Sequence, residues 1–170
     1  HRLKRDAQDH FDFVCFQQFT AWRQWTEVRQ YAKSRGVRLM GDIPIFISHE
    51  SADCWAHPKA FLLTRNHTPA RVAGCPPDSF NADGQLWGNV LYDWAALKRQ
   101  GFSWWCDRIR HALTLYDAIR LDHFIGFYRY WSIAPRAKTA KGGHWEKALG
   151  GDLFRKIQQQ HPQMPFVAED

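Results

Sequence analysis

The sequence predicts an α/β fold on a parallel sheet, and within that class a partial (β/α)8 barrel of about three strands rather than a doubly wound sheet. Three observations carry this. Helical and strand-like patterns alternate along the 170 residues. Each of three strand patterns stays apolar until its C-terminal end, where a carboxylate stands: Asp42, Asp122 and Glu169. No G-x-G-x-x-G or G-x-x-x-x-G-K-[ST] phosphate loop is present. Alternation implies parallel strands, because these need crossover connections. A doubly wound sheet fits the alternation but places glycines after its first strand. A barrel collects catalytic groups from the C-terminal ends of several strands at one mouth.

The elements follow in order. Val14, Ala21, Trp25, Val28 and Ala32 fall on one helical face. Gly36 stands where a helix C-terminus favours glycine. Val37–Ile47 (VRLMGDIPIFI) then reads as a strand buried on both faces. Residues 48–93 look irregular, with four prolines and the turn signals D-G and W-G. A stretch of that length inside a domain is usually functional, and 48–93 is expected to cover a substrate. Trp105, Ile109, Ala112 and Tyr116 mark a second helix leading into a second strand, Tyr116–Phe124 (YDAIRLDHF). A loop over 126–151, a short helix over 152–160 and a third strand, Pro165–Glu169, complete the reading. The chain begins at His1 and stops at a strand end, so residues 1–170 are expected to be the central segment of a catalytic barrel, incomplete at both ends.

Composition narrows the function. With 45% hydrophobic and 24% charged residues the chain is globular. Nine Trp, twelve Phe and five Tyr exceed what a core alone invites, and flat rings complement the C–H faces of sugars as well as they do bases. The charge is +6, but the only basic clusters, His1–Arg5 and Lys138–Lys141, are short, so no nucleic-acid partner is expected. No apolar run is long enough to span a bilayer, so no membrane partner is expected either. Cys15, Cys54, Cys75 and Cys106 are far apart and form no C-x-x-C pair, which suits reduced thiols in a cytoplasmic protein. The nine histidines make no H-E-x-x-H or Cys/His cluster, so no metal site is expected.

The strand ends carry the chemistry. Residues two apart on a strand share a face, so Arg120 and Asp122 project together. The cation favours the ionised carboxylate, the state a nucleophile needs, though a structural ion pair has the same pattern. Glu169 follows Phe166, Val167 and Ala168, and apolar company disfavours the charged form, as suits a general acid. A Glu simply emerging into solvent would look the same. Together they form the two-carboxylate pair of glycoside chemistry.

These residues lie in segments that resemble the 4-α-glucanotransferases (amylomaltase and plant disproportionating enzyme) of the α-amylase superfamily. The segments are GDIPIFISHESADCWAHPKAFLL (Gly41–Leu63), AGCPPDSFNADGQLWGNVLYDW (Ala73–Trp94), YDAIRLDHFIGFYRYWSIAP (Tyr116–Pro135) and FVAED (Phe166–Asp170). The combination of GQLWGN, R-L-D-H-F and A-E-D is specific. The resemblance implies that Asp122 is the nucleophile, Glu169 the acid/base and Arg120 the nucleophile's support. Asp42 would organise the site, His123 would contact the bound glucan and Trp87 would stack on a sugar. Gln85 and Asn89 would bond sugar hydroxyls or cap their own loop. The substrates would be malto-oligosaccharides and α-1,4-glucans, with no metal or organic cofactor. Two departures stand out: Ser79 replaces the aromatic residue many relatives carry after P-P-D, and KGGHWEKALGG is looser than its usual counterpart. The family's third catalytic acid lies beyond Asp170, so the segment alone is expected to have little activity. A hydrolase of the same superfamily and a non-catalytic glucan-binding fragment are the alternatives.

Overall fold

The computed structural model describes residues 7–170; the basic cluster at His1–Arg5 lies outside the described residues. Two sheets organise the chain. The first is parallel, in the order β1 (Met40–Ile43), β4 (Ala118–Leu121), β7 (Phe166–Ala168). The second is antiparallel, in the order β3 (Gln85–Val90), β2 (Val72–Cys75), β5 (Arg129–Ile133), β6 (His144–Lys147). Helix α1 (Gln8–Ser34) precedes β1, and α2 (Ala52–Ala56) follows it. Helices α3 (Trp94–Arg99) and α4 (Ser103–Leu115) lead into β4, and α5 (Gly150–Gln160) leads into β7.

The three predicted strands form, in the predicted parallel arrangement, but each is shorter than its apolar run. In the first run only Met40–Ile43 is regular. Pro44 has no N–H to give a ladder, and the chain bends immediately beyond it. Nor is β1 buried on both faces: Met40 and Asp42 are exposed while Gly41 and Ile43 are buried. Gly41 is required by a neighbour, because a Cβ there would stand 2.2 Å from the Tyr116 ring.

Helix α1 ends as its sequence predicts, with Gly36 at φ +70° beyond the last turn. Its apolar face is engaged mainly towards its C-terminal half. Ala32 is buried, and the Trp25 indole N–H donates to the Leu115 carbonyl at 3.0 Å while its ring meets Tyr116 edge-on at 5.4 Å. Val14 and Val28, on the same predicted face, are exposed. No helix among the described residues is long and apolar enough to cross a membrane.

The two stretches that read as irregular hold more structure than expected. Residues 48–93 contain α2, a 3-10 turn (Pro58–Ala60), β2 and β3; residues 126–151 contain β5 and β6. Those four strands are the second sheet. It is tied to the first where Val90 N–H donates to the Ile47 carbonyl at 3.2 Å, just past β1. One continuous core joins the layers. Ile119, Leu121, Leu153 and Ile157 are fully buried, each worth about 2 kcal/mol in transfer terms. Above them Trp105 packs against Tyr92, Trp104 and Phe127 at 5.4, 5.3 and 5.0 Å. This aromatic layer holds the antiparallel sheet over the C-terminal ends of the parallel strands.

Candidate active site at the strand ends

Arg120 is the centre of the site. Its strand register places it opposite Asp42 on β1 and Val167 on β7. Asp122 follows two residues on and Glu169 lies just past β7. Arg120 Nη1 donates to Asp42 Oδ1 at 2.6 Å. Nη2 donates to Asp122 Oδ1 at 2.9 Å and lies 3.1 Å from Glu169 Oε2. One guanidinium fork thus gathers all three predicted carboxylates, a task its planar geometry suits and a lysine's does not. The hydrogen bond to Asp42, helped by the charges of Asp42, Glu169 and Asp122, pushes the Arg120 guanidinium still further up from its ordinary value, against the opposing effect of desolvation.

Because Asp122 and Glu169 share one nitrogen, their bonded oxygens lie at most about 6 Å apart, the sum of the two contacts. The apolar surroundings expected for Glu169 are not found. Its side chain is 45% exposed and its partner is Arg120, because the β4 residue nearest its strand end on the mouth side is a cation.

The segment after Asp122 turns at once. His123 has φ 49°, in the left-handed region, so the strand stops at Leu121 and an i+1 side chain need not point away. The turn is clasped to the end of β7. Glu169 N–H donates to the Leu121 carbonyl at 3.1 Å, Phe124 N–H to the Glu169 carbonyl at 2.7 Å and Ile125 N–H to Asp170 Oδ1 at 2.6 Å. His123 N–H points to Glu169 Oε2 at 3.4 Å. Gly126 makes room for the imidazole, since a Cβ there would meet His123 Cδ2 at 2.9 Å. The ring sits against Phe46 at 6.5 Å and Trp87 at 5.0 Å, nearly perpendicular to the indole. Burial pushes the imidazole below its ordinary value, opposed by the charges of Asp170, Asp122 and Glu169.

Trp87 comes from an irregularity in β3. The two-residue step from Val72 to Gly74 on β2 is matched by a four-residue step from Val90 to Leu86 on β3. Trp87, Gly88 and Asn89 form that bulge, with Gly88 at φ +78°. Bulges beside active sites characteristically re-aim a side chain. Here the indole is 37% exposed and its N–H donates to Gln85 Oε1 at 2.9 Å. Asn89, the last residue of the bulge, is half-buried. The structure therefore brings Asp42, Arg120, Asp122, His123, Glu169, Gln85 and Trp87 to one end of the parallel strands.

Sequence reasoning missed Phe46, which joins His123, Trp87 and Tyr130 (6.4 Å) into one aromatic wall. It missed Asp170 as the cap of the turn that follows Asp122; both lie inside the quoted motifs, where a role beyond strand and motif had no separate signal. It also passed over Phe80, 98% exposed on a loop braced by Asp78, whose Oδ1 accepts from the N–H groups of Phe80 and Asn81 at 2.8 and 2.7 Å. This ring projects one residue beyond Ser79. Of the basic cluster at 138–141, Lys141 is paired with Asp83 at 2.6 Å. All four cysteines are free thiols, Cys15 exposed and Cys54 and Cys106 buried. Among the described residues no group of three or more His, Cys, Asp or Glu side chains is placed to hold a metal ion. A cavity of about 840 Å³ opens beside β1 and reaches Asp42 but neither Asp122 nor Glu169.

Residues 1–170 match the family described as 4-alpha-glucanotransferase. The chain is 44% identical over 169 residues to a 4-alpha-glucanotransferase of Aquifex aeolicus, covering 99% of this chain and 35% of that protein. It is 46% identical over 166 residues to the chloroplastic/amyloplastic 4-alpha-glucanotransferase of Solanum tuberosum, covering 98% of this chain and 29% of that protein. The amylomaltase from Streptococcus agalactiae in complex with acarbose superposes with a TM-score of 0.95 at 37% identity, over 98% of this chain and 34% of that one. The chain thus spans about a third of the length of these relatives. The match gives the parallel sheet its context as part of a (β/α)8 barrel.

Proposed function

The chain belongs to the 4-alpha-glucanotransferase family, and from that premise we propose that its intact protein transfers an α-1,4-glucan segment to the 4-OH of an acceptor glucan by a retaining double displacement. The observation that carries the proposal is the shared nitrogen of Arg120, which holds Asp122 and Glu169 with their bonded oxygens within about 6 Å. Such close approach accords with the separation of about 5–5.5 Å between the carboxyl groups of retaining pairs.

Asp122 Oδ attacks the anomeric carbon and the glycosidic bond breaks. Its oxygen takes the proton of Glu169, and the reducing-end portion leaves. Arg120 contacts Oε2 of Glu169, so Oε1 is free to carry that proton. The acceptor 4-OH then gives its proton to the Glu169 carboxylate and attacks the same carbon, which releases Asp122. Two inversions give net retention. Asp42 anchors Arg120 from the neighbouring strand, and Trp87 offers a sugar-stacking face beside His123. Transfer exceeds hydrolysis when a sugar rather than water occupies the acceptor side, and residues 48–93, which carry Phe80 and Trp87, are the covering region proposed to favour this. A cytoplasmic location accords with the four free thiols.

The test is the product profile of the intact protein with maltotriose, wild type beside Asp122→Asn. Glucose plus a ladder of longer maltodextrins, absent with Asp122→Asn, is the expected result. Shortened products alone would make the protein a hydrolase. A ladder that survives in Asp122→Asn would remove the nucleophile assignment.

A further inference from the structure

We propose that Gln85 is a positioning residue that fixes the ring of Trp87, rather than a direct partner of substrate hydroxyls. Three observations lead there. First, Trp87 has lost the support of its own strand. It lies in the bulge between the Gly74–Leu86 and Val72–Val90 pairs, and the neighbouring Gly88 takes φ +78° with nothing within 4 Å of where a Cβ would stand. A residue in such a segment is held by its side chain, because ladder bonds are locally interrupted. Secondly, Gln85 stands in the regular part of the same strand, paired with Cys75 across the ladder. Its Oε1 accepts the indole N–H at 2.9 Å, so the bond ties the bulge to the rigid sheet. Thirdly, the bond sets an orientation as well as a distance. The indole meets His123 edge-on at 88° and 5.0 Å, and Trp87 as a whole remains 37% exposed. His123 in turn gives its backbone N–H towards Glu169. Gln85 therefore sets the angle between the sugar platform and the acid/base.

The bond occupies one of the two lone pairs of Gln85 Oε1, and the NH2 group remains a donor. Loss of the acceptor would free the Trp87 χ angles at the bulge, and substrate binding would have to order the ring again.

This inference rests on the proposed transferase reading, and the test separates the two. In the intact protein, kcat and KM for maltotriose are measured for Gln85→Leu and Gln85→Glu, each with Trp87 and with Trp87→Phe, which keeps a ring and removes the N–H. With Trp87 present, Gln85→Leu is expected to lower kcat/KM about tenfold, chiefly through KM, the worth of one hydrogen bond. Gln85→Glu keeps an acceptor and is expected to return to within about threefold of wild type. In the Trp87→Phe background Gln85→Leu is expected to change kcat/KM by less than about twofold, because the bond it breaks is already absent. Equal loss in both backgrounds would overturn the proposal and make Gln85 a sugar-contacting residue. A second readout needs no turnover: the indole N–H resonance that disappears in Trp87→Phe is expected to move in Gln85→Leu. If that resonance stays in place, the clamp does not exist. An intact protein without transferase activity would refute the functional reading, while the resonance would still decide the clamp.

Discussion

Arg120 Nη2 lies 3.1 Å from Glu169 Oε2, joining the residue just past β7 to the neighbouring strand, β4. The same nitrogen donates to Asp122, and Nη1 holds Asp42. Among the described residues Arg120 is the only cation within ion-pair distance of these three carboxylates. Their mutual repulsion is relieved through one side chain.

Arg120→Leu is therefore expected to reduce kcat for maltotriose transfer by roughly a thousandfold, since both chemical groups lose their orientation together. Arg120→Lys keeps the charge but not the fork, and should retain activity between the two, roughly a hundredfold below wild type. The carboxylates are partly exposed, so neither change should unfold the protein; a preserved thermal transition by circular dichroism checks that the loss is catalytic.

Gly41→Ala is expected to destabilise the fold by about 1–3 kcal/mol, the cost of overpacking. The new methyl would fall 2.2 Å from Tyr116, which cannot retreat freely because Trp25 packs edge-on against it at 5.4 Å. Urea unfolding measures the loss. In a Tyr116→Ala background the additional cost of Gly41→Ala should shrink, which shows that the ring is the obstacle.

The parallel strands and the three carboxylates were legible because apolar runs ending in a charge depend on local residue order. The span of each strand was not, since Pro44 and the left-handed His123 end the ladders inside runs that remain apolar. The antiparallel sheet stayed hidden for another reason. Strands such as V-A-G-C and H-W-E-K are four residues long, too short for a periodicity to register, and they gain order from pairing with β5, Ala73 with Ser132 and Trp145 with Trp131, which only the fold creates. Arg120 was foreseen as a partner of Asp122 because the two are neighbours on one strand. Its bonds to Asp42 and Glu169 come from cross-strand register, which a single strand does not encode.

His123 is expected to titrate below the ordinary imidazole value of 6.5, because burial between Phe46 and Trp87 outweighs the pull of Asp170, Asp122 and Glu169. A depressed folded value means the unfolded chain binds the proton first as pH falls. The neutral ring thus contributes stability that is fully present above about 6.5 and is lost as pH drops through the folded value. Following the His123 Cε1–H resonance against pH checks the direction. Trp87→Ala, which opens one wall to water, should move the midpoint back towards 6.5.

Acid should loosen the far edge of the antiparallel sheet through Glu146. Burial pushes its carboxyl up, but hydrogen bonds from Ser132 and Tyr130, and the charge and hydrogen bond of His144, together hold it below its ordinary 4.5. Tyr130 Oη donates to Oε2 at 3.1 Å, and His144 Nε2 lies 3.1 Å from Oε1. Arg71 holds the imidazole from its other side, with Nη2 at 3.2 Å from Nδ1. Since the folded value is depressed, this carboxylate stabilises the sheet above about 4.5, and the contribution disappears as pH falls through the folded value. The amides pairing β5 with β6, from Arg129–Lys147 to Ser132–His144, should therefore exchange faster with deuterium as pH drops below 4.5, after correction for intrinsic exchange. Glu146→Gln removes the titrating group, so its β5–β6 protection should start lower and show no comparable change across that range. An identical acid response in Glu146→Gln would mean that another group governs the sheet edge.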